Sequence, residues 1–175
     1  YFVRCAREGL GAGELSGLFA RLREPGLDAE RAMFEATGGV NTHKGAIFAL
    51  GILCAASGKL LGDERRAAPE ALSPLCSAIA GDALRAEIQA LQKERANTAG
   101  ERMLLDTGMA GARGEAMRGY PTALEGLRTL EAALAGGSCV NDAGVEALMT
   151  ILAVAEDSNF VKRASRERWL EWKEK

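Results

Sequence analysis

The sequence predicts an all-α fold, a single-domain bundle of about 8–10 helices packed around one central apolar helix. Alanine, leucine and glutamate are abundant while β-branched and aromatic residues are scarce, a composition that favours helix over strand. No segment alternates apolar and polar residues as a half-buried strand does. The segment Gly45–Ser57 is apolar on most of its helical faces, which is typical of a helix at the centre of a core. With 175 residues, the chain is long enough for one well-cored domain that covers residues 1–175.

Glycine and proline divide the first half of the chain into helices. The apolar residues of Glu14–Arg23 recur at the i, i+3, i+4 and i+7 spacing of an amphipathic helix. We expect Pro25 and Gly26 to break this helix and Asp28 to cap the next one. A polar linker over residues 60–69 is expected after the central helix. The helices predicted in this half are Glu14–Arg23, Asp28–Ala36, Gly45–Ser57, Pro69–Ala80 and Asp82–Arg95.

Capping residues mark the helix ends in the second half. Thr98, followed by Glu101 three residues later, matches an N-terminal capping box, a reading that explains both residues without any function. Gly108 and Gly111 are expected to break the chain before a short segment. Two longer helices complete the prediction: Pro121–Leu134, which Gly136 and Gly137 end, and Val145–Ala155, which Asn141 or Asp142 caps.

Charge and cysteine content exclude several classes of protein. The formal net charge of −2 predicts no nucleic-acid or membrane electrostatic surface. The four cysteines form no CxxC pair and there is one histidine, so a zinc site is not expected. Cys54 and Cys76 lie in apolar segments and are interpreted as small buried hydrophobic residues. No apolar run approaches the roughly 18–20 residues that span a bilayer, and we expect a reduced, cytoplasmic protein.

Residues 37–45 have the composition of an anion-binding loop. They read TGGVNTHKG and lead straight into the central apolar helix. The first amides of a helix lack intrahelical acceptors and carry partial positive charge, and glycine lets a backbone approach a ligand closely. Lys44 adds a positive charge, although the pattern is neither a Walker A motif nor a dinucleotide fingerprint. The sequence therefore predicts phosphate binding here, with a simple glycine-rich turn between two helices as the alternative.

Two further groups of polar residues have both a functional and a structural interpretation. Arg113 and Glu115 lie among glycines, which suggests close approach of a ligand or of another helix. They could also form a surface ion pair with each other. Asp157 and Asn159 follow an apolar helix and offer the oxygen ligands that Mg²⁺ prefers, with Arg163 one turn later. The alternative there is a helix cap.

Three ordered blocks resemble the triphosphoribosyl-dephospho-coenzyme A synthase family. The first is residues 37–51, which read TGGVNTHKGAIFALG. The second combines TAGER at 98–102, GARGEA at 111–116 and GYPT at 119–122. The third combines LM at 148–149 and DSN at 157–159 with Arg163. The family pattern has threonine at the position of Ser158 and a glycine pair at the position of Ala164-Ser165. The resemblance spans nearly the whole chain.

The resemblance implies a pentosyl transfer from ATP to the ribose 2′-hydroxyl of 3′-dephospho-coenzyme A, with release of adenine. The product is the precursor of the prosthetic group on the acyl carrier subunit of citrate lyase or malonate decarboxylase, which a separate downstream transferase would load. For that reaction we assign Lys44 and Arg113 to the triphosphate, His43 to protonation of adenine, and Glu115 to deprotonation of the hydroxyl. Further contacts to substrate are expected from Gly38, Gly39, Asn41, Thr42 and Arg163, and Mg²⁺ is expected at Asp157 and Asn159.

This assignment requires His43, Arg113 and Glu115 to converge on one pocket. Two other functions stay open. One is a related enzyme of another cofactor pathway that uses a different nucleotide or pentose donor. The other is a non-catalytic helical interaction module, with Trp169 and Trp172 as its anchors. Since the chain starts without methionine and in the middle of a helical pattern, we also expect an N-terminal part of the family's domain to be missing.

Overall fold

The computed structural model describes residues 1–91, 96, 99–155, 168 and 171, and these fold into helices without any strand. The described helices are α1 (Phe2–Leu10), α2 (Leu18–Arg21), α3 (Arg23–Ala36), α4 (Lys44–Gly62), α5 (Pro69–Gln89), α6 (Ala99–Thr107), α7 (Gly111–Met117), α8 (Pro121–Ala135) and α9 (Val140–Val154). The predicted all-α class is confirmed. The chain divides into two compact units, of which the first comprises Tyr1–Gln89 with Ala116–Gly119 and the second Ala90–Glu115 with Tyr120–Lys175. The expectation of a single domain stays a prediction.

Helix α4 is the centre of the first unit, as its apolar sequence predicts. It packs against α1, α3 and α5, and it buries apolar residues on several faces. Ile52, Ala55 and Leu60 are each no more than 2% exposed, which places them among the most deeply buried residues of the unit. Burial of such side chains is the main favourable term in folding. The buried residues of α4 therefore fix this helix in the core, and with it the end of the loop that precedes it.

The contact between α1 and α4 depends on glycine. A Cβ atom built on Gly58 would overlap the backbone carbonyl oxygen of Ala6 and would lie 2.8 Å from its carbonyl carbon. The same construction on Gly9 overlaps the carbonyl oxygen of Ala55. Backbone carbonyls cannot rotate away as a flexible side chain can, so each helix needs a glycine where the other approaches.

By length and composition, α4 is the one described helix that could cross a membrane. The sequence expectation that no apolar run is long enough is therefore wrong for this helix, because it extends past Ser57 to Gly62. However, the core helix of a globular protein can have the same length and apolar composition. The packing of α4 against three other helices of its unit is that of a core helix.

Pro25 does not break a helix as predicted but lies in the first turn of one. Helix α3 begins at Arg23 and contains both Pro25 and Gly26, so these residues do not break a helix, and Asp28 is not a cap. Proline is tolerated in the first turn, where its missing N–H would have no acceptor. The preceding helix is reduced to Leu18–Arg21, and the predicted start at Glu14 is wrong.

The two helices predicted over residues 69–95 are one continuous helix to Gln89. Gly81, the residue between the two predicted helices, lies inside α5. A Cβ on Gly81 would lie 3.4 Å from the carbonyl oxygen of Met117, and the Ser77 hydroxyl donates to that same oxygen over 2.6 Å. The 3.4 Å distance is ordinary contact, and the close approach of residues 116–119 to α5 depends instead on Gly119, where a Cβ would overlap the Ser73 carbonyl oxygen.

In the second unit, α8 and α9 form an antiparallel pair. Helix α8 has Pro121 at its start and ends before Gly136 and Gly137, within one residue of the prediction. Helix α9 begins at Val140, five residues earlier than expected, because Cys139 caps it: its sulfur accepts from the Asp142 amide over 3.4 Å.

All four cysteines are free in this structure. Cys76 is fully buried, and burial raises the pKa of its thiol to about 12. Burial also raises the pKa of Cys54, which is only partly buried. The interpretation as a small buried hydrophobic residue is confirmed for Cys76, whereas Cys54 is only partly buried.

Candidate functional site

The glycine-rich loop begins where α3 ends. Gly38 and Gly39 have φ angles of 62° and 86°, the left-handed region that glycine adopts at little cost. The Gly39 amide donates to the Phe34 carbonyl oxygen over 2.8 Å, the six-to-one bond of a Schellman motif. The Thr37 hydroxyl lies 2.7 Å from the Met33 carbonyl oxygen and 2.5 Å from that of Val40, so it can donate to either. These bonds fix the direction in which the loop leaves α3.

The loop then turns directly into α4. His43 is the N-cap residue and Lys44 the first helical residue, as the predicted loop-to-helix junction requires. The Asn41 side-chain oxygen accepts from the Lys44 amide over 3.0 Å. Among the described residues, no group accepts a hydrogen bond from the Gly45 or Ala46 amide. Two donors at the positive end of a 19-residue helix thus face outward.

His43 is held by its neighbours and open to solvent. Its Nδ1 lies 2.7 Å from the Thr42 hydroxyl oxygen, and its backbone amide lies 3.4 Å from the Met33 sulfur. The Thr42 hydroxyl contacts Nδ1, and no described group forms a hydrogen bond with the other ring nitrogen, Nε2. Thr42 therefore orients His43, a relation that the sequence prediction did not include.

Lys44 does not stand alone at the start of α4. Its ammonium nitrogen lies 2.7 Å from a carboxylate oxygen of Glu30 on α3. The Lys44 side chain is 46% exposed while that of Glu30 is 19% exposed, so the lysine can reach solvent and the glutamate is largely covered. The charge predicted for phosphate binding is thus neutralised by Glu30 in this structure.

The second unit contains the Arg113–Glu115 segment on α7. Arg113 donates to a carboxylate oxygen of Glu101 over 3.1 Å, so the ion pair that the structure gives it is with α6 and not with Glu115. The Glu115 carboxylate accepts from the Thr122 amide over 3.1 Å, in the first turn of α8. A carboxylate there satisfies an amide without an intrahelical acceptor and opposes the helix dipole. Arg113 and Glu115 are therefore both held in place, but by different partners.

Several predicted site residues lie outside the described residues. These are the metal ligands Asp157 and Asn159, the substrate contact Arg163, the cap Thr98, and the interaction anchors Trp169 and Trp172. In the described part of the chain, no group of three or more histidine, cysteine and acidic residues is placed to hold a metal ion. His43 belongs to the first unit and Arg113 with Glu115 to the second, and their convergence on one pocket stays a prediction.

Sequence reasoning missed two acidic partners of the predicted cations. Glu30 lies 14 residues before Lys44, and Glu101 lies 12 residues before Arg113. Both pairs join neighbouring helices, so no helical spacing within one element reveals them. Glu101 belongs to one of the three blocks that carry the family resemblance. The sequence indicates a helix cap at this residue, and the ion pair of Glu101 with Arg113 was therefore not predicted.

The chain is similar to a family of known proteins over its whole length. The family model described as ATP:dephospho-CoA triphosphoribosyl transferase (CitG) matches residues 1–175. A protein of Lactiplantibacillus plantarum, named as a probable 2-(5''-triphosphoribosyl)-3'-dephosphocoenzyme-A synthase, is 38% identical over 98% of this chain and 61% of its own length. The synthase of that name from Pectobacterium atrosepticum is 38% identical over 87% of this chain and 50% of its own length.

The chain thus spans between half and three-fifths of the length of these two curated relatives. No solved structure matches it. The family model covers every block in which the resemblance was found, including the loop at the start of α4 and the α7 segment. The chain therefore belongs to the ATP:dephospho-CoA triphosphoribosyl transferase family.

Proposed function

We propose that this chain is the part of a triphosphoribosyl-dephospho-CoA synthase that binds the triphosphate of ATP. The observation that carries the proposal is the start of α4, where a lysine and a glycine-rich loop meet two amides that have no acceptor in the described part of the chain. Amides at a helix N-terminus and a mobile positive side chain are suited to polyphosphate oxygens. Membership of the family supports a reaction in which ATP and 3'-dephospho-CoA are the substrates.

The transfer breaks the glycosidic bond between C1′ of the ATP ribose and N9 of adenine. It forms a new bond between that carbon and the 2′-hydroxyl oxygen of 3'-dephospho-CoA. Adenine leaves with the bonding electrons and takes up a proton, while the hydroxyl loses one, so protons and electrons balance. Positive charge develops on the sugar in the transition state, as in glycoside hydrolysis. An enzyme for this step must hold the triphosphate without cleaving it and must manage two protons.

We assign His43 to the proton that adenine receives. The support is its exposed position beside the loop and the Thr42 contact at Nδ1, which leaves Nε2 for the ligand. An imidazole can both accept and donate a proton, as a group that protonates a leaving base must. Gly38, Gly39 and Asn41 shape the loop around the phosphates.

We assign Arg113 and Glu115 to the same substrate. Arginine binds two phosphate oxygens with its planar fork, and the Glu101 contact orients that fork. Glu115 is the base for the attacking hydroxyl or the carboxylate that stabilises the developing charge. Its bond to the Thr122 amide holds the carboxylate at one position.

Mg²⁺ completes the proposal. The Asp157 carboxylate and the Asn159 amide offer hard oxygen ligands, the donor set that suits this cation, and Arg163 adds a phosphate contact. When bound, the cation would neutralise part of the triphosphate charge. The product would serve as the prosthetic-group precursor for citrate lyase or malonate decarboxylase in the cytoplasm, where a downstream transferase would load it onto the acyl carrier protein.

Release of free adenine tests this function. The full-length protein that contains this chain is incubated with ATP, Mg²⁺ and 3'-dephospho-CoA, and the products are identified by mass spectrometry. We expect adenine and a product that retains all three phosphates, and both must be lost when the acceptor is omitted. Release of ADP, AMP or pyrophosphate in place of adenine would show a phosphoryl or nucleotidyl transferase and would refute the proposal.

A further inference from the structure

Glu30 faces the predicted triphosphate site with the wrong charge for an anion site. Its carboxylate oxygen lies 2.7 Å from the Lys44 ammonium nitrogen, and the side chain is 19% exposed. A carboxylate at this place repels phosphate and occupies one of the three donors of the lysine. An anion site built for the tightest binding would not contain it.

The position of Glu30 is fixed by packing. Its neighbour Ala29 and Met33, one turn later on α3, form a buried core cluster with Ile47 of α4. Ile47 lies one turn after Lys44 on the same helix, so the cluster holds the two helices together directly beside the ion pair. The carboxylate therefore stays within reach of α4, while the exposed lysine has the freedom to exchange it for another anion.

The proposed reaction gives such an exchange a purpose. The triphosphate of ATP is not consumed, because the group transferred is the triphosphoribosyl unit. The loop thus contacts the same triphosphate before and after the bond changes, and contacts that bind substrate tightly bind product as tightly. If no other anion competed for Lys44, the loop would release the product slowly, and product release limits turnover in many enzymes.

We propose that Glu30 is the counter-ion that competes with the triphosphate for Lys44 and takes the lysine back when the product leaves. The inference rests on the proposed function for its triphosphate ligand. Glu30 contacts no reacting atom in this role: it acts through Lys44, and it sets how tightly the loop holds any polyphosphate. It weakens binding in order to permit turnover.

The test compares two conservative substitutions on α3. Glu30→Gln removes the competing charge and keeps the size of the side chain. Glu24→Gln makes the same change in charge about 9 Å earlier along the helix, at a residue that is 80% exposed and pairs with Arg4. Inorganic tripolyphosphate is titrated into each purified protein by calorimetry without nucleotide, and circular dichroism checks that each variant is folded.

We expect Glu30→Gln to bind tripolyphosphate roughly 3- to 20-fold more tightly than the wild type, and Glu24→Gln to change the affinity by less than about twofold. In a Lys44→Met background, Glu30→Gln should have less than half of this effect, because the lysine for which the carboxylate competes is gone. In steady-state assays of the full-length protein, Glu30→Gln should lower the KM for ATP and lower kcat as well.

Two results would overturn the inference. Unchanged affinity in Glu30→Gln would mean that the pair does not compete with the ligand. Weaker affinity would mean that Glu30 holds Lys44 in the binding position instead. Either result can occur while the wild type binds tripolyphosphate and releases adenine, so both leave the proposed function intact. If the wild type releases no adenine, the proposed function is refuted, whatever the affinities of Glu30→Gln and the wild type for tripolyphosphate.

Discussion

Lys44→Met tests the triphosphate site most directly. The substitution removes the ammonium group at the first residue of α4 and keeps an unbranched apolar side chain of similar length. The Asn41 contact, which is made to the Lys44 backbone amide, is unaffected by the change of side chain. The two outward-facing amides of Gly45 and Ala46 also remain. The variant therefore isolates the charge of the lysine from the rest of the loop.

The magnitude follows from two opposing terms. A hydrogen bond between a charged donor and a phosphate oxygen stabilises a complex by about 1.5–3 kcal/mol. In the wild type, Lys44 must first leave Glu30, and a pair whose lysine is half exposed is worth about 0–1 kcal/mol. The net loss in ATP binding is therefore about 0.5–3 kcal/mol, or roughly 2- to 150-fold in the dissociation constant.

Lys59→Met is the matched control. Lys59 lies on the same helix, four turns further along, and forms an ion pair with Asp63 there. The two variants make the same change in net charge, so a general electrostatic effect would weaken ATP binding in both. Calorimetry with ATP and Mg²⁺ measures the affinities, and thermal unfolding checks stability. An unchanged dissociation constant in folded Lys44→Met, or an equal loss in both variants, would refute the placement of the triphosphate at this loop.

Two further predictions concern packing and the metal. Gly58→Ala should lower the free energy of unfolding by about 1–3 kcal/mol, because the added methyl group overlaps a backbone carbonyl of α1. Gly26→Ala should raise it by up to about 1 kcal/mol, because no described atom lies within 4 Å of the added Cβ. Urea denaturation measures both changes. Asp157→Asn should reduce Mg²⁺-dependent turnover strongly while leaving the unfolding midpoint nearly unchanged, because asparagine caps a helix about as well as aspartate but is a weaker cation ligand.

The sequence predicted those elements whose ends are set by local chemistry. Helix α8 has proline at its first residue and two glycines after its last, and its bounds were correct to one residue. The start of α4, predicted at Gly45, was correct to one residue, since a polar, glycine-rich segment ends there and an apolar one begins.

Errors arose where tertiary packing overrides a local signal. Pro25 suggested a break, yet a first-turn proline needs no amide acceptor, and α3 continues through it. Two helices were predicted over residues 69–95, yet α5 is continuous through Gly81, and Ser77 on the same helix donates to the Met117 carbonyl oxygen. A pattern within one segment contains no information about which backbone will lie against it.

The same limit applies to the site. Its cations were found from sequence because Lys44 and Arg113 lie beside glycines that let a backbone approach a ligand, and the family resemblance pointed to the same residues. Their acidic partners were missed, because Glu30 and Glu101 meet Lys44 and Arg113 only after helices pack. The partners decide how strongly each cation can bind an anion, so this part of the chemistry requires the structure.

Glu115 has two interpretations that one substitution separates. Its carboxylate accepts from the Thr122 amide at the start of α8, which makes it a structural cap whatever else it does. Glu115→Gln keeps an oxygen that can accept from this amide and loses only the charge. The loss should destabilise the protein by about 0.3–1 kcal/mol, the range for a charge near a helix terminus.

A catalytic base predicts a different size of effect. If Glu115 accepts the proton of the attacking hydroxyl, Glu115→Gln should lower kcat by about 100- to 10,000-fold while the KM for ATP changes little. Glu125→Gln on α8 is the control, since it removes an exposed carboxylate that pairs with Arg128 within the same helix. If adenine release by Glu115→Gln stays within about threefold of that by Glu125→Gln, Glu115 is a cap alone, because loss of a general base cannot leave turnover so little changed.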